Sequence, residues 1–141
     1  RMLEQQEDSH IVNTASIAGL FAQRGLAVYQ STKFAVVALS ETLALDLAER
    51  GARIGVSVLC PGAVATRFAQ ADRNRPAELH NPPGSPASVR ASARMPDTID
   101  PSTVADIVFE GVRANRFYLL THPDRVSQPV RTRMENILAE R

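Results

Sequence analysis

Residues 53–60, "RIGVSVLC", form a run that is nearly all apolar on both of the faces a β-strand would present. A strand lying over water on one side alternates polar with apolar positions. This run does not, so it belongs inside a parallel sheet covered by helices on both faces. Parallel neighbours need helical crossovers, and the rest of the sequence supplies them. "HIVNTAS", residues 10–16, reads as a second short strand, marked by β-branched Ile11 and Val12 and ended by a stretch of Ser, Ala and Gly. From about Leu26 to Arg50 the pattern is that of one long helix rich in Ala and Leu, closed by Gly51 where a left-handed cap is expected. A further helix starts at Asp100 or Ser102, with Pro101 near its first turn and Val104, Ile107, Val108 and Val112 at helical spacing. Phe117–Thr121 reads as a third strand. "PDRVSQPVRTRMENILAER" is a final helix expected to be interrupted near Pro129.

Strand and helix therefore alternate, which predicts an α/β layered domain. Between residues 67 and 100, Pro76, Pro82, Pro83, Pro86 and Pro96 forbid any long regular element. A loop of that length is expected either to serve a function or to be disordered. Residues 67–98 follow the Pro-Gly turn at Pro61 and are expected to form a substrate lid, with Phe68 its best-placed apolar contact. The opening "RMLEQQEDSH" favours helix but carries no cap, as if a helix were already under way, which points to a fragment.

Composition narrows the function classes. With 141 residues, 44% hydrophobic and 22% charged, the chain fits one soluble domain. A net charge of +1 carries no concentrated basic footprint for nucleic acid. The longest apolar run, Phe34–Leu39, is far short of the ~20 residues that span a bilayer. No leader pattern opens the chain, so neither membrane nor export is expected. The single cysteine, Cys60, excludes an internal disulfide and any multi-cysteine metal site, and favours a reducing, cytoplasmic compartment. Flanked by Leu59 and Pro61, it reads as a small buried hydrophobe. His10, His80 and His122 show no metal-ligand spacing, and the arginines of the loop, Arg67, Arg73, Arg75, Arg90 and Arg94, read as a solvated surface.

One position stands apart from the other cations. Lys33 is the only lysine among sixteen basic side chains. It lies four residues after Tyr29 at the start of the long helix, so the two share a face, with Cβ atoms roughly 5–6 Å apart. An ammonium beside a phenol favours the phenolate, which makes such a tyrosine usable as a general acid or base. Lysine suits that post because its charge is compact and on a flexible stem, whereas the guanidinium is a broad planar fork. Ser16 lies thirteen residues earlier, at the carboxyl end of the first strand, where open parallel sheets place their ligands. From there it can donate a hydrogen bond to a substrate oxygen; it can also simply cap its loop. As a hydrolase nucleophile it is poorly placed, because "TASIA" lacks the glycines of a nucleophile elbow. Pro61 and Gly62 turn the chain at the end of the next strand and remove side-chain bulk, so that a flat ligand can approach the backbone, and Thr66 then offers a hydroxyl.

The ordered set Asn13-x-x-Ser16, Tyr29-x-x-x-Lys33 and Pro61-Gly62-x-x-x-Thr66 resembles the short-chain dehydrogenase/reductase family. The resemblance runs over essentially all 141 residues but only the carboxyl half of a family domain. It implies three strands of a Rossmann-like doubly wound parallel sheet alternating with helices. It also implies hydride transfer between NAD or NADP and an alcohol or carbonyl substrate. By the same resemblance Tyr29 would exchange the proton with the substrate oxygen and Ser16 would hold that oxygen. Lys33 would bond the nicotinamide ribose beside Tyr29, while the backbone at Pro61, Gly62 and Val64 and the Thr66 hydroxyl would hold the nicotinamide end. The glycine-rich pyrophosphate turn, the residue that chooses between the two cofactors and the family's catalytic asparagine are not in this chain, so alone it is expected to be inactive. The stretch "NRFYLLTHP" is similar to a subset of bacterial members.

An alternative function is that of a non-catalytic fragment acting only in subunit assembly or protein interaction. The long helix is apolar nearly all round, through Phe34, Val36, Val37, Leu39, Leu43, Leu45 and Leu47, and needs cover on two sides. One side can pack on its own sheet. In the family the other commonly packs on a partner subunit, so a homo-oligomer through residues 27–50 is expected.

Overall fold

The computed structural model describes residues 1–5, 7–82 and 97–141. The described chain falls into two units, residues 1–62 with 102–141 and residues 63–101.

The first unit is built on a parallel sheet of β1 (Ser9–Thr14), β2 (Ile54–Cys60) and β3 (Tyr118–Leu120), in that order. β1 aligns with β2 from Ser9 opposite Ile54 to Thr14 opposite Leu59, and β2 with β3 from Val58 opposite Tyr118 to Cys60 opposite Leu120. The nearly all-apolar run is the central strand, as its pattern requires, and every residue of β2 except Gly55 is buried.

The long helix is α2 (Ala27–Glu49), after a short α1 (Met2–Gln5). It covers one face of the sheet: Val37 packs with Ala15, Val58 and Cys60, and Leu47 with Ile54 and Val56. Its end shows the cap expected at Gly51. Gly51 has φ +60°, its N–H donates to the Ala48 carbonyl at 3.0 Å, and the Ala52 N–H reaches back to Leu47 at 2.9 Å. A polar tie fixes the helix to the sheet. Asn13 Nδ2 donates to Ser40 Oγ at 3.0 Å, and Ser40, fully buried, donates to the Val36 carbonyl at 2.7 Å. Leaving either group without its partner would cost about 1–3 kcal/mol.

On the other face, α3 (Pro101–Arg113) packs its buried Gly111 against Leu119. Ser57 Oγ bridges that side, donating to the Arg116 carbonyl at 2.6 Å while His10 Nε2 lies 2.7 Å from it. The last helix, α4 (Pro123–Leu138), corrects one expectation: it continues without interruption through Pro129. A proline at that point removes one N–H, but buried Val126 and half-buried Val130 hold the helix on either side of it. Arg133, one turn on, lies 5.2 Å from the Phe34 ring of α2. β3 is also shorter than expected by one residue at each end.

The second unit holds short 3-10 turns at Arg67–Asn74 and Ala77–Leu79 and a bridge between Val64 and Ile99. Of the lid expected over 67–98, residues 83–96 lie outside the described residues.

Candidate active site

Parallel strands end together, so the carboxyl ends of β1 and β2 lie side by side, and the backbone ladder continues past both. The Ala15 N–H donates to the Leu59 carbonyl at 2.8 Å and the Ile17 N–H to the Pro61 carbonyl at 3.0 Å. Ser16, between them and 8% exposed, is thereby held against the Pro-Gly turn. Its hydroxyl accepts from the Ala18 N–H at 3.1 Å, capping the 3-10 turn Ile17–Gly19, and donates to the Pro61 carbonyl at 3.4 Å. That last bond is long and weak, so the hydroxyl proton can swing to a better acceptor at small cost.

The helix that carries Tyr29 and Lys33 reaches the same edge. Lys33 Nζ lies 5.7 Å from the centre of the Tyr29 ring and donates to the Thr14 carbonyl, the last of β1, at 3.4 Å. One of its three N–H donors is so used, and two remain for a ligand hydroxyl. Cys60, the last residue of β2, is fully buried, and burial pushes its thiol up to about 11 against weaker opposing pulls from the Ser16 backbone and the Lys33 charge. It is the inert core residue its neighbours imply.

The loop between Ser16 and Tyr29 is tied by Gln30. This side chain is 6% exposed; its Oε1 accepts from the Gln23 N–H at 3.0 Å and its Nε2 donates to the Phe21 carbonyl at 2.8 Å. Sequence reasoning passed over Gln30. The available signal was its place on the stripe that continues through Val37, Ser40 and Leu47, all buried, where a polar side chain must find a partner.

Ser16, Tyr29, Lys33, Pro61 and Gly62 all belong to the first unit. Val64 and Thr66 belong to the second, where Thr66 Oγ1 accepts from the Phe68 N–H at 3.3 Å and the Thr66 N–H donates to the Val64 carbonyl at 2.8 Å. Among the described residues no group of three His, Cys, Asp or Glu side chains is placed to hold a metal, and no helix is long and apolar enough to cross a membrane.

A family model described as short chain dehydrogenase matches residues 1–77, a span that includes Ser16, Tyr29, Lys33 and the turn from Pro61 to Thr66. The chain belongs to the short-chain dehydrogenase family. Among curated relatives, this family member is 36% identical over 131 residues to a "CLA biosynthesis dehydrogenase/reductase" of Lactiplantibacillus plantarum, covering 87% of this chain and 46% of that protein. It is 34% identical over 124 residues to a "1-deoxy-11-beta-hydroxypentalenate dehydrogenase" of Streptomyces exfoliatus, covering 88% of this chain and 39% of the relative. A solved short-chain dehydrogenase/reductase from Burkholderia phymatum, in complex with NAD, superposes with a TM-score of 0.82 at 39% identity, over 99% of this chain and 51% of that one. The chain thus spans about half the length of the relatives it matches, or less. The three-stranded parallel sheet with its helices matches the fold of the Burkholderia protein over the half that the two share.

Proposed function

We propose that this short-chain dehydrogenase forms the catalytic half of an NAD- or NADP-dependent oxidoreductase acting on an alcohol or carbonyl group of a small molecule. One observation carries the proposal. Lys33 sits beside the Tyr29 ring and donates to the carbonyl that ends β1, two residues before Ser16, which supports reading the tyrosine, the lysine and the serine as one site. The Burkholderia relative's complex with NAD supports the choice of cofactor class.

The donor set at that edge fits a nicotinamide nucleoside: ammonium protons on Lys33 for ribose hydroxyls, and main-chain groups of the Pro61-Gly62 turn. A bound nicotinamide would supply the hydride-transfer chemistry. Tyr29 exchanges a proton between its hydroxyl and the substrate oxygen. Ser16 turns its hydroxyl from the Pro61 carbonyl to that oxygen and holds it. Lys33 bonds the ribose, and the backbone at Pro61 and Gly62 holds the nicotinamide end.

In the whole protein, Tyr29→Phe is expected to abolish turnover while cofactor affinity stays nearly unchanged, since the ribose contact of Lys33 survives. Retention of more than a few per cent of the rate would refute the role of Tyr29.

The outward side of α2 supports a second role for the same chain. Val28, Leu39 and Leu45 are 84%, 61% and 71% exposed along that helix. We infer that this face pairs with a partner subunit to form a homo-oligomer. Leu39→Glu with Leu45→Glu should convert the oligomer to monomer in sedimentation; an unchanged mass would overturn the assignment.

A further inference from the structure

The stretch "THP" that follows β3 is not part of the motif set that places substrate and cofactor, yet its first two side chains meet the Pro-Gly turn. Thr121 and His122 are both buried, at 9% and 8% exposure. Thr121 Oγ1 accepts the N–H of Gly62 at 2.9 Å and lies 2.7 Å from His122 Nδ1. The imidazole occupies the space beside Gly62: a Cβ built there would lie 2.5 Å from Nδ1 and 2.9 Å from Cγ. Cγ is the root of the ring, so the imidazole cannot yield by bending at its tip. Thr121 thus supplies a hydrogen bond and His122 a wall, and together they fix the one residue of the turn that has no side chain to fix itself. Gly62 is the most mobile residue type at this edge, and an unheld glycine samples far more backbone conformations than any other.

We propose that Thr121 and His122 are positioning residues that clamp the Gly62 peptide in the orientation a nicotinamide ring requires. The inference rests on the reading of Pro61 and Gly62 as the nicotinamide holder. Neither residue need touch the cofactor; they act through Gly62, by removing the freedom that the turn would otherwise lose on binding.

The test has a readout that needs no cofactor. In the unliganded whole protein, Thr121→Val keeps the shape of the side chain and deletes the acceptor. The Gly62 amide should then exchange with solvent at least tenfold faster, while amides of β2 keep their protection. With cofactor titrated by fluorescence, the same variant should raise the dissociation constant about tenfold, and kcat should change less than the cofactor KM. Thr121→Ser, which restores the oxygen, should return both readouts to within about threefold of wild type. If Thr121→Val does not fold, a compensation pair carries the test. Gly62→Ala should weaken cofactor binding more than tenfold alone and less than threefold when combined with His122→Ala, which makes room for the new methyl. Unchanged exchange at Gly62, or equal effects of Gly62→Ala in both backgrounds, would overturn the clamp. Its failure is separable from failure of the oxidoreductase reading: the clamp alone falls if Tyr29→Phe is inactive and these variants behave as wild type, and the reading itself falls if Tyr29→Phe turns over.

Discussion

Gly19→Ala is a single methyl that should separate the serine from the tyrosine. Gly19 closes the 3-10 turn capped by Ser16, and its α-carbon faces the helix that carries Tyr29 and Lys33. A Cβ built there would lie 2.7 Å from the Lys33 carbonyl oxygen and 2.9 Å from its carbon. Ordinary contact begins near 3.4 Å, so the turn and the helix must part by about 0.7 Å. The opposing atoms are backbone in the body of a 23-residue helix pinned to β1 through Ser40 and Asn13, so no rotamer change relieves the clash. The turn is the lighter partner and gives way, carrying Ser16 with it. Overpacking of this kind costs about 1–3 kcal/mol, which for a domain of this size lowers Tm by several degrees. The effect on rate should be larger than stability alone explains, because a displacement near 1 Å of a group that orients the reacting oxygen costs on the order of 10²-fold. The assay is kcat/KM for the whole protein beside a thermal melt, with Gly51→Ala as reference. Gly51 has φ +60° and nothing within 4 Å of a built Cβ, so alanine there strains the cap by ~1 kcal/mol without touching the site. Gly19→Ala should lose activity about a hundredfold and Gly51→Ala only a little stability. If Gly19→Ala keeps activity within threefold of wild type, the close approach does not set the distance between Ser16 and Tyr29.

Gln30→Leu should lower stability by about 1–3 kcal/mol in urea unfolding, by stranding the Gln23 N–H and the Phe21 carbonyl, and should loosen the loop ahead of Tyr29 enough to raise the substrate KM. Lys33→Arg, although it keeps the charge, should impair turnover strongly in the whole protein; a near-normal pH–rate profile would show that the shape of the lysine does not matter. Cys60 should react with iodoacetamide at pH 8 at least about a hundredfold more slowly than a free thiol, and at the ordinary rate once guanidinium unfolds the chain. Burial holds the folded pKa of His10 below its ordinary 6.5, so the unfolded chain binds the extra proton first as pH falls. Stability should therefore be full above about pH 6.5, decline from there toward the lowered folded value and level off beneath it, and His10→Gln should flatten that decline in melts between pH 7 and 5.

The sequence by itself determined the layer order and most of the element boundaries. "RIGVSVLC" could only be an inner parallel strand, because no alternation offers water a face. Gly51 ended the long helix because that cap needs a left-handed backbone. Tyr29, Lys33, Ser16 and Pro61-Gly62 stood out as candidates because strand ends, helix starts and turns carry local signals, and a parallel sheet gathers strand ends on one edge. What only the tertiary structure decided depends on contacts between residues far apart in the chain, which leave no local pattern. Pro129 was read as a break on its intrinsic cost, but Val126, Val130 and Arg133 secure the helix on both sides of it, and packing outweighs one lost hydrogen bond. Gln30 as the tie of the Ser16–Tyr29 loop, Gly19 as the point where that loop meets the helix, and Thr121 with His122 against Gly62 emerged only from the fold. Each is a polar or minimal residue whose partner lies 7 to 60 positions away, and nothing in its immediate neighbours announces that partner.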